Sequence, residues 1–284
     1  MTNRELDAVF PLIESGILEM KNLVEFCSLL TGRKRVVRIV IPCFMKDEVS
    51  SYLVYNFPHM TVASSEFHLR TVRSESNVDH FQIKVTGDVM PEDSCVIWIG
   101  YSDGVEQASM FEMSEDPSLA FVYGYPECCR NGYQEILLGK KWFDRFFADR
   151  PTYQVMPMLM NRFSSLSDPF LGYHWDYFPC SSTCRETHQI NTENRKDLQE
   201  FEFSDLTKII DSHSRAAIFH VDGSFWYHRI SDEGAPNVSA FLFGERFDQR
   251  KLTKVEIDAF NVRFYLDDQI FDTESGKSQV IIFE

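Results

Sequence analysis

Four short apolar runs divide the first 123 residues of the chain, and their spacing sets the class of fold that the chain can adopt. The runs are rich in β-branched residues and predict strands, whereas two segments between them predict helices. The strands are predicted at Val36–Ile41, Phe81–Val85, Cys95–Ile99 and Leu119–Tyr123, and the helices at Asp47–Asn56 and Asp103–Met113. Because strands that alternate with helices are typical of α/β folds, we predict an N-terminal α/β layer with a largely parallel sheet.

Two short helices are predicted before the first strand, and strands dominate the other end of the chain. Apolar residues recur at helical spacing over Asp7–Leu30, and Gly32 is placed to cap the second helix. The basic cluster Arg33–Arg35 follows, and we expect it to be a solvated turn. Near the carboxyl end, a helix is predicted at the capping-box pattern Thr253–Glu256, and strands are predicted at Ala217–Val221, Phe225–Ile230, Val238–Phe243 and Gln279–Phe283.

These patterns predict three regions. Residues 1–123 form the α/β layer, residues 124–200 form a Cys/His-rich helical segment packed on it, and residues 215–284 form a small, β-rich α+β module. The middle segment differs from its neighbours by its density of cysteine and proline and by the helical periodicity of Tyr133–Phe147. The overall fold class is therefore predicted to be α/β.

The composition is that of a folded, acidic protein. The 284 residues are 44% hydrophobic and 14% aromatic, which suffices for a core without disulfides. The formal net charge of −15 repels phosphate backbones, so nucleic acid is not an expected partner. No secretion signal and no membrane-spanning window is evident in the sequence. We therefore expect a cytoplasmic protein whose 7 cysteines are kept reduced, metal-bound or catalytic.

Two cysteines stand side by side in the stretch GYPECCRNGY, residues 124–133. Cys128 and Cys129 follow Pro126 and a run predicted to be a strand, and they lie where a helical pattern begins. Amide groups at the start of a helix favour the thiolate. Since the thiolate is the form that binds metals and attacks electrophiles, this pair is a candidate for either role.

A second segment, about fifty residues further on, repeats this chemistry. Pro179 is followed by Cys180 and Cys184, and His174 precedes them. Positions i and i+4 share a helix face, so we expect both thiols to point at one site, with His174 and the adjacent cysteines completing it. Cys₃His and Cys₄ sets bind tetrahedral zinc, and three or four thiolates also hold iron–sulfur clusters. His188, four residues after Cys184, is an alternative to His174 or a solvated helix position.

Two other interpretations of these four cysteines stay open. They form a reactive dithiol or redox pair without metal, or they are small buried residues of the core. The remaining cysteines, Cys27, Cys43 and Cys95, lie inside apolar runs and are expected to be buried.

The paired motifs resemble those of a poorly characterised prokaryotic domain family, G-Y-P-x-C-C and H-x-P-C-S-x-x-C. The match covers residues 124–187, about a quarter of the chain. The resemblance implies that Cys128, Cys129, His174, Cys180 and Cys184 belong to one site. This chain departs from the family pattern between His174 and Pro179, where it carries Trp-Asp-Tyr-Phe.

Two functions follow from such a site. In a metal-dependent enzyme, zinc or a cluster with an open position would act on a small molecule, with Cys128, Cys129, Glu127 and Asp176 as candidate catalytic residues. In a binding or accessory protein, a closed shell of four ligands would be structural, and a protein would be the partner. Five candidate donors favour the enzyme, and the frequency of Cys₃His ligation favours zinc over iron–sulfur.

Overall fold

The computed structural model describes residues 3–18, 20–73, 80–130, 153–156, 180 and 184–214, together with the backbone of seven strands between residues 216 and 283. The chain divides into two compact units, Met1–Arg130 and Asn131–Glu284. Among the described residues, no helix has the length and apolar character needed to cross a membrane.

In the described part of the first unit, helices flank a four-stranded sheet. The strands are β1 (Val36–Pro42), β2 (Thr61–Arg73), β3 (His80–Val85) and β4 (Ser94–Gly100). The helices are α1 (Asn3–Asp7), α2 (Phe10–Glu14), α3 (Met20–Leu30), α4 (Lys46–Asn56), α5 (Ser102–Ser114) and α6 (Leu119–Val122). The helices predicted at Asp47–Asn56 and Asp103–Met113 are thus confirmed as α4 and α5.

The sheet of this unit is antiparallel, so the prediction of a largely parallel sheet is wrong. Its strand order is β1-β4-β2-β3, and every neighbouring pair is antiparallel. The misleading feature is β4, which is buried over six consecutive residues. Continuous apolar strands are typical of parallel sheets because helices cover both faces of such sheets. Here helices cover both faces of an antiparallel sheet, which produces the same pattern.

Burial along β1 and β4 shows the two covered faces. Val36, Val96 and Trp98 pack with α5 and α6 in one core cluster. Alternate residues such as Ile39 and Ile97 are equally buried and point to the opposite face. Helix α3 lies against β1, and α4 lies against β2 and β4.

Strand β2 was not predicted, because buried polar residues interrupt its apolar pattern. Its register with β4 shifts between Ser64 and His68. At this bulge the Ser65 hydroxyl donates to the carbonyl oxygen of Phe67 (2.6 Å) and accepts from the amide of Val96 (3.0 Å). A serine side chain therefore satisfies a strand amide that the interrupted ladder leaves without a backbone partner.

The run Leu119–Tyr123, predicted to be a strand, is the short helix α6. Asp116 Oδ1 accepts from the Ser118 amide (2.7 Å) ahead of the helix. At the other end Gly124 has φ of +76°, and the amide of Tyr125 donates to the carbonyl of Ala120. This arrangement is a Schellman ending, in which a left-handed glycine reverses the chain.

The second unit contains two described helices and an eight-stranded sheet. The helices are α7 (Arg185–Glu200) and α8 (Ser204–Ser214). In the sheet, β5 pairs with β12 in parallel, and the other neighbours are antiparallel in the order β11-β10-β9-β8-β7-β6-β12-β5. Its strands are β5 (Tyr153–Met156), β6 (Ala216–Val221), β7 (Ser224–Arg229), β8 (Asn237–Leu242), β9 (Glu245–Ile257), β10 (Val262–Leu266), β11 (Gln269–Asp272) and β12 (Ser278–Phe283).

Four of these strands lie where the sequence predicts them, namely β6, β7, β8 and β12. The helix predicted at Thr253–Glu256 is wrong, because these residues belong to β9. Pairing of Lys254, Val255 and Glu256 with β10 overrides the local capping-box pattern. The helical pattern of Tyr133–Phe147 lies outside the described residues.

Replacement of Gly100 by alanine tests the packing at the end of β4. A Cβ atom at Gly100 would lie 2.2 Å from the carbonyl oxygen of Arg35 and 2.7 Å from Cα of Val36. Because both atoms belong to the backbone, Gly100→Ala is expected to lower the free energy of unfolding by about 3 kcal/mol or more. Urea denaturation measures this loss.

Gly16→Ala is the matched control for Gly100→Ala. Gly16 has φ of +72° and open space around its Cα, so alanine there meets only the cost of a left-handed backbone, about 1 kcal/mol. Equal losses in the two variants would contradict the close packing of β4 against Arg35.

Candidate metal centre

Four cysteine side chains converge in the structure. The Sγ atoms of Cys128, Cys129, Cys180 and Cys184 all lie within 4.8 Å of one another, and this group could hold a metal ion. Cys129 and Cys184 are 2% and 6% exposed, Cys180 is half-buried and Cys128 is exposed. The structure therefore brings together four of the five residues that the sequence assigns to one site.

Cys128 and Cys129 lie on the first turn of a helix. The carbonyl oxygen of Pro126 accepts hydrogen bonds from the amides of Cys129 and Arg130, both at 2.9 Å, and residues 127–130 are helical. The two Sγ atoms are 3.8 Å apart. The chain thus starts a helix at the cysteine pair, as predicted, although a helix and not a strand precedes it.

A buried lysine holds the chain just before this pair. Lys34, which is 1% exposed, donates from Nζ to Glu25 Oε1 (2.9 Å) and to the carbonyl oxygen of Tyr123 (3.2 Å). The same ammonium lies 5.8 Å from the ring centroids of Tyr123 and Tyr125. The prediction that Arg33–Arg35 is a solvated turn is therefore wrong for Lys34, which is a core residue.

The hydroxyl end of Tyr123 is fixed by a second buried network. It donates to Glu112 Oε2 (2.7 Å) and accepts from Trp98 Nε1 (3.0 Å), and Arg38 Nε donates to Glu112 Oε1 (2.9 Å). Burial, followed by the Glu112 charge, raises the pKa of Tyr123 well above its usual value. Tyr123 is thus a neutral donor that is held at both ends, five residues before Cys128.

The second pair of cysteines does not share one helix, contrary to the prediction. Helix α7 begins at Arg185, and Cys184 is its N-cap. Its Sγ accepts from the amide of Thr187 at 3.5 Å, as a capping oxygen would. The helix amides therefore stabilise negative charge on the Cys184 sulfur.

The other predicted site residues fall into two groups. His174 and Asp176 lie outside the described residues. His188 is half-buried on α7 and is not in the described metal-binding group, and Glu127 is exposed. Cys27 and Cys95 are buried, as predicted, and Cys43 is half-buried.

Sequence reasoning missed a cavity of about 680 Å³ beside β2 and β4. Its lining includes Cys43, His68 and Cys95. Burial raises the pKa of Cys95 to about 11 and also raises that of Cys43, so both stay protonated near neutral pH. The alternation of polar and apolar residues over Glu66–Arg70, after the interruption at Ser64 and Ser65, was the signal that could have revealed β2.

Asp93 is buried close to this cavity, where it binds Arg70 and lies beside His68. It accepts from Nε and Nη2 of Arg70, both at 2.8 Å, and from the Met90 amide (2.7 Å). His68 Nε2 lies 3.1 Å from Asp93 Oδ2, close enough for an ion pair but not aligned for a hydrogen bond. The Arg70 hydrogen bonds lower the pKa of Asp93 far below its usual value.

Comparisons of the chain with protein-family models, with curated proteins and with solved structures find no match. The assignment of a site therefore depends on the geometry of the molecule itself. The four converging thiols are the group among the described residues with the chemistry and spacing to bind a metal ion.

Replacement of Lys34 by methionine tests the buried ion pair. The variant leaves the Glu25 carboxylate without its ammonium partner in the core, so we expect the free energy of unfolding to fall by about 3 kcal/mol. The double variant Glu25→Leu with Lys34→Met should recover most of this loss. Lys208→Met removes an exposed ion pair with Asp205 and should change stability by less than about 1 kcal/mol. Wild-type stability in Lys34→Met would contradict a structural role for the ammonium.

Acid unfolding tests the Asp93 cluster. A carboxyl whose folded pKa is depressed stabilises the protein above its unfolded pKa, near about 4, and this stability is lost as the pH falls further. We expect the unfolding free energy of the wild type to decline below about pH 4. Asp93→Asn should be less stable at pH 7 and should show a shallower decline. An unchanged slope in that variant would show that other carboxyls dominate.

Proposed function

We propose that the protein is a metal-binding protein in which Cys128, Cys129, Cys180 and Cys184 hold one zinc ion in a closed, structural site. The observation that carries this proposal is the mutual distance of the four sulfur atoms, at most 4.8 Å. Four thiolates are an ordinary donor set for structural zinc.

The sulfur separations support a single ion. Zinc–sulfur bonds of about 2.3 Å in a tetrahedron place the sulfurs about 3.8 Å apart, and Cys128 and Cys129 have this separation, 3.8 Å. An iron–sulfur cluster distributes its thiolates over different irons, so an inorganic core keeps their sulfurs further apart. The convergence of all four sulfurs favours zinc, and a single iron ion is the other ion of matching geometry.

The number of cysteines supports a structural role over a catalytic one. Catalytic zinc has three protein ligands and leaves a position for water or substrate, whereas four protein ligands close the shell. The paired motifs around Cys128 and Cys180 are, on this proposal, the sequence signature of the site. We then expect the zinc-bound protein to bind a partner protein rather than a substrate.

Metal analysis of protein purified without chelators tests the proposal. We expect one zinc per chain and no visible absorption band, because zinc thiolates are colourless. Removal of the metal should lower Tm by roughly 10 °C, and added zinc should restore it. Cys184→Ser should lose most of the bound zinc.

Cys43→Ser is the matched control, since Cys43 is half-buried and lies outside the cluster. It should keep one zinc per chain. A brown protein with stoichiometric iron would show that the bound metal is iron and not zinc. If anaerobically purified protein contained neither metal, and Cys184→Ser unfolded like the wild type, the proposed function would be wrong.

A further inference from the structure

The cavity beside β2 and β4 has the size and the lining of a small-molecule site. Its volume of about 680 Å³ lies within the range of about 300–1,000 Å³ that is usual for such sites. Apolar surface predominates on its wall and belongs to Phe44, Phe67, Val89, Met90 and Pro91. The cavity can therefore bury the apolar body of a ligand.

Three of these apolar side chains are in contact with water. Phe44 is 80% exposed, Val89 is 58% exposed and Met90 is 47% exposed, although each of them lines the cavity. Large apolar side chains that are exposed together mark a binding site more often than an inert surface. A ligand that enters the cavity removes this apolar surface from water, which favours binding.

The ammonium group of Lys46 adds a positive charge to this apolar wall. Lys46 is half-buried, and its Nζ donates a hydrogen bond to the carbonyl oxygen of Ser65 at 2.9 Å. Among the residues that the structure describes, Lys46 forms no ion pair. Because an ammonium group has three N–H donors, two of them are available to an acceptor that enters the cavity.

The thiols of Cys43 and Cys95 show that this charge acts on the inside of the cavity. Burial, the largest effect, raises the pKa of both thiols, and the Lys46 ammonium opposes this rise. Both cysteines line the cavity. Glu66 lines it too, but its side chain is exposed, so water screens the carboxylate. The cavity therefore favours a ligand with a negative charge over one with a positive charge.

A second polar group of the wall is buried without a satisfied hydrogen bond. The side chain of His68 is 5% exposed, and its Nε2 has no aligned hydrogen-bond partner within the described part of the chain. Hydrogen bonds in unliganded sites are often misaligned and tighten when a ligand binds. A ring nitrogen that carries a proton can donate to a ligand oxygen, so His68 is a second polar contact for the same ligand.

We propose that this cavity binds a small monocarboxylate with an apolar body, such as a medium-chain fatty acid, and that Lys46 binds the carboxylate. The apolar wall buries the chain, and the ammonium supplies a charge-assisted hydrogen bond. The ligand is held and not converted. The inference does not depend on the proposed zinc site, because every lining residue belongs to Met1–Arg130 and none is a cysteine of the metal centre.

Isothermal titration calorimetry on the full chain tests the proposal with octanoate, 1-octanol and octylammonium, which share one apolar chain and differ in charge. We expect one octanoate per chain, bound about tenfold tighter than 1-octanol, and octylammonium should bind most weakly. Lys46→Met keeps the apolar stem of the lysine and removes its charge. It should weaken octanoate binding about tenfold and leave 1-octanol binding unchanged.

Lys208→Met and Lys46→Arg are the matched controls. Lys208 is an exposed lysine outside the cavity, so its replacement should leave octanoate binding unchanged. Lys46→Arg keeps the charge and should retain most of the affinity. If Lys46→Met fails to fold, the comparison of the three compounds on the wild type still decides between the charges.

Methionine methyl NMR of the wild type locates the bound octanoate. The methyl signal of Met90, on the wall of the cavity, should shift on addition of octanoate. Met113 is similarly exposed, at 54%, but lies on α5 outside the cavity, so its signal should stay in place.

The outcomes separate the cavity from the assigned charge. Absence of saturable octanoate binding, or a shift of Met113 without a shift of Met90, would overturn the proposal as a whole. Equal affinities for octanoate and 1-octanol, with no loss in Lys46→Met, would overturn the assignment of a carboxylate. Tightest binding of octylammonium would overturn it as well, because the exposed Glu66 and not Lys46 would then set the preferred charge.

Discussion

The buried ammonium group of Lys34 is the constraint on which the first unit and its cysteine pair depend. A charge in the core is tolerated only where opposite charge and hydrogen-bond acceptors surround it. Glu25 on α3 and the carbonyl oxygen of Tyr123 supply these partners. Since Tyr123 directly precedes the GYPECC stretch, the segment that carries the cysteines starts from a fixed point in the core.

Tyr123 fixes the start of this segment because hydrogen bonds hold both its backbone carbonyl and its side-chain hydroxyl. Its carbonyl oxygen accepts a hydrogen bond from Lys34. Its hydroxyl donates a hydrogen bond to Glu112 and accepts one from Trp98. Gly124 then reverses the chain, and the next helix begins directly after Pro126. Gly124 and Pro126 thus set the direction of the chain, and Tyr125 packs beside Lys34. The motif therefore places two thiols at the start of a helix.

The sequence allowed the elements and the candidate site residues to be predicted, but not the way the strands associate. Periodicity located α4, α5, β1 and β4, because each has a simple burial pattern. It could not distinguish parallel from antiparallel pairing, since β4 is buried on both faces in either case. Ser65 and His68, polar but buried, concealed β2, without which the strand order could not be derived. Asp116 and Gly124 marked the ends of α6, and their signals were outweighed by the apolar run between them.

The cysteines illustrate the same limit at the level of chemistry. Spacing suggested that Cys180 and Cys184 share a helix face, yet Cys184 caps the helix and Cys180 precedes it. The grouping of four thiols therefore does not follow from helical periodicity. The prediction named the correct cysteines, but the shared helix face on which it depended is wrong. What separates a zinc site from a cluster site is the distance between sulfurs. That distance depends on contacts between distant parts of the sequence, so it cannot be read from the motif that carries the cysteines.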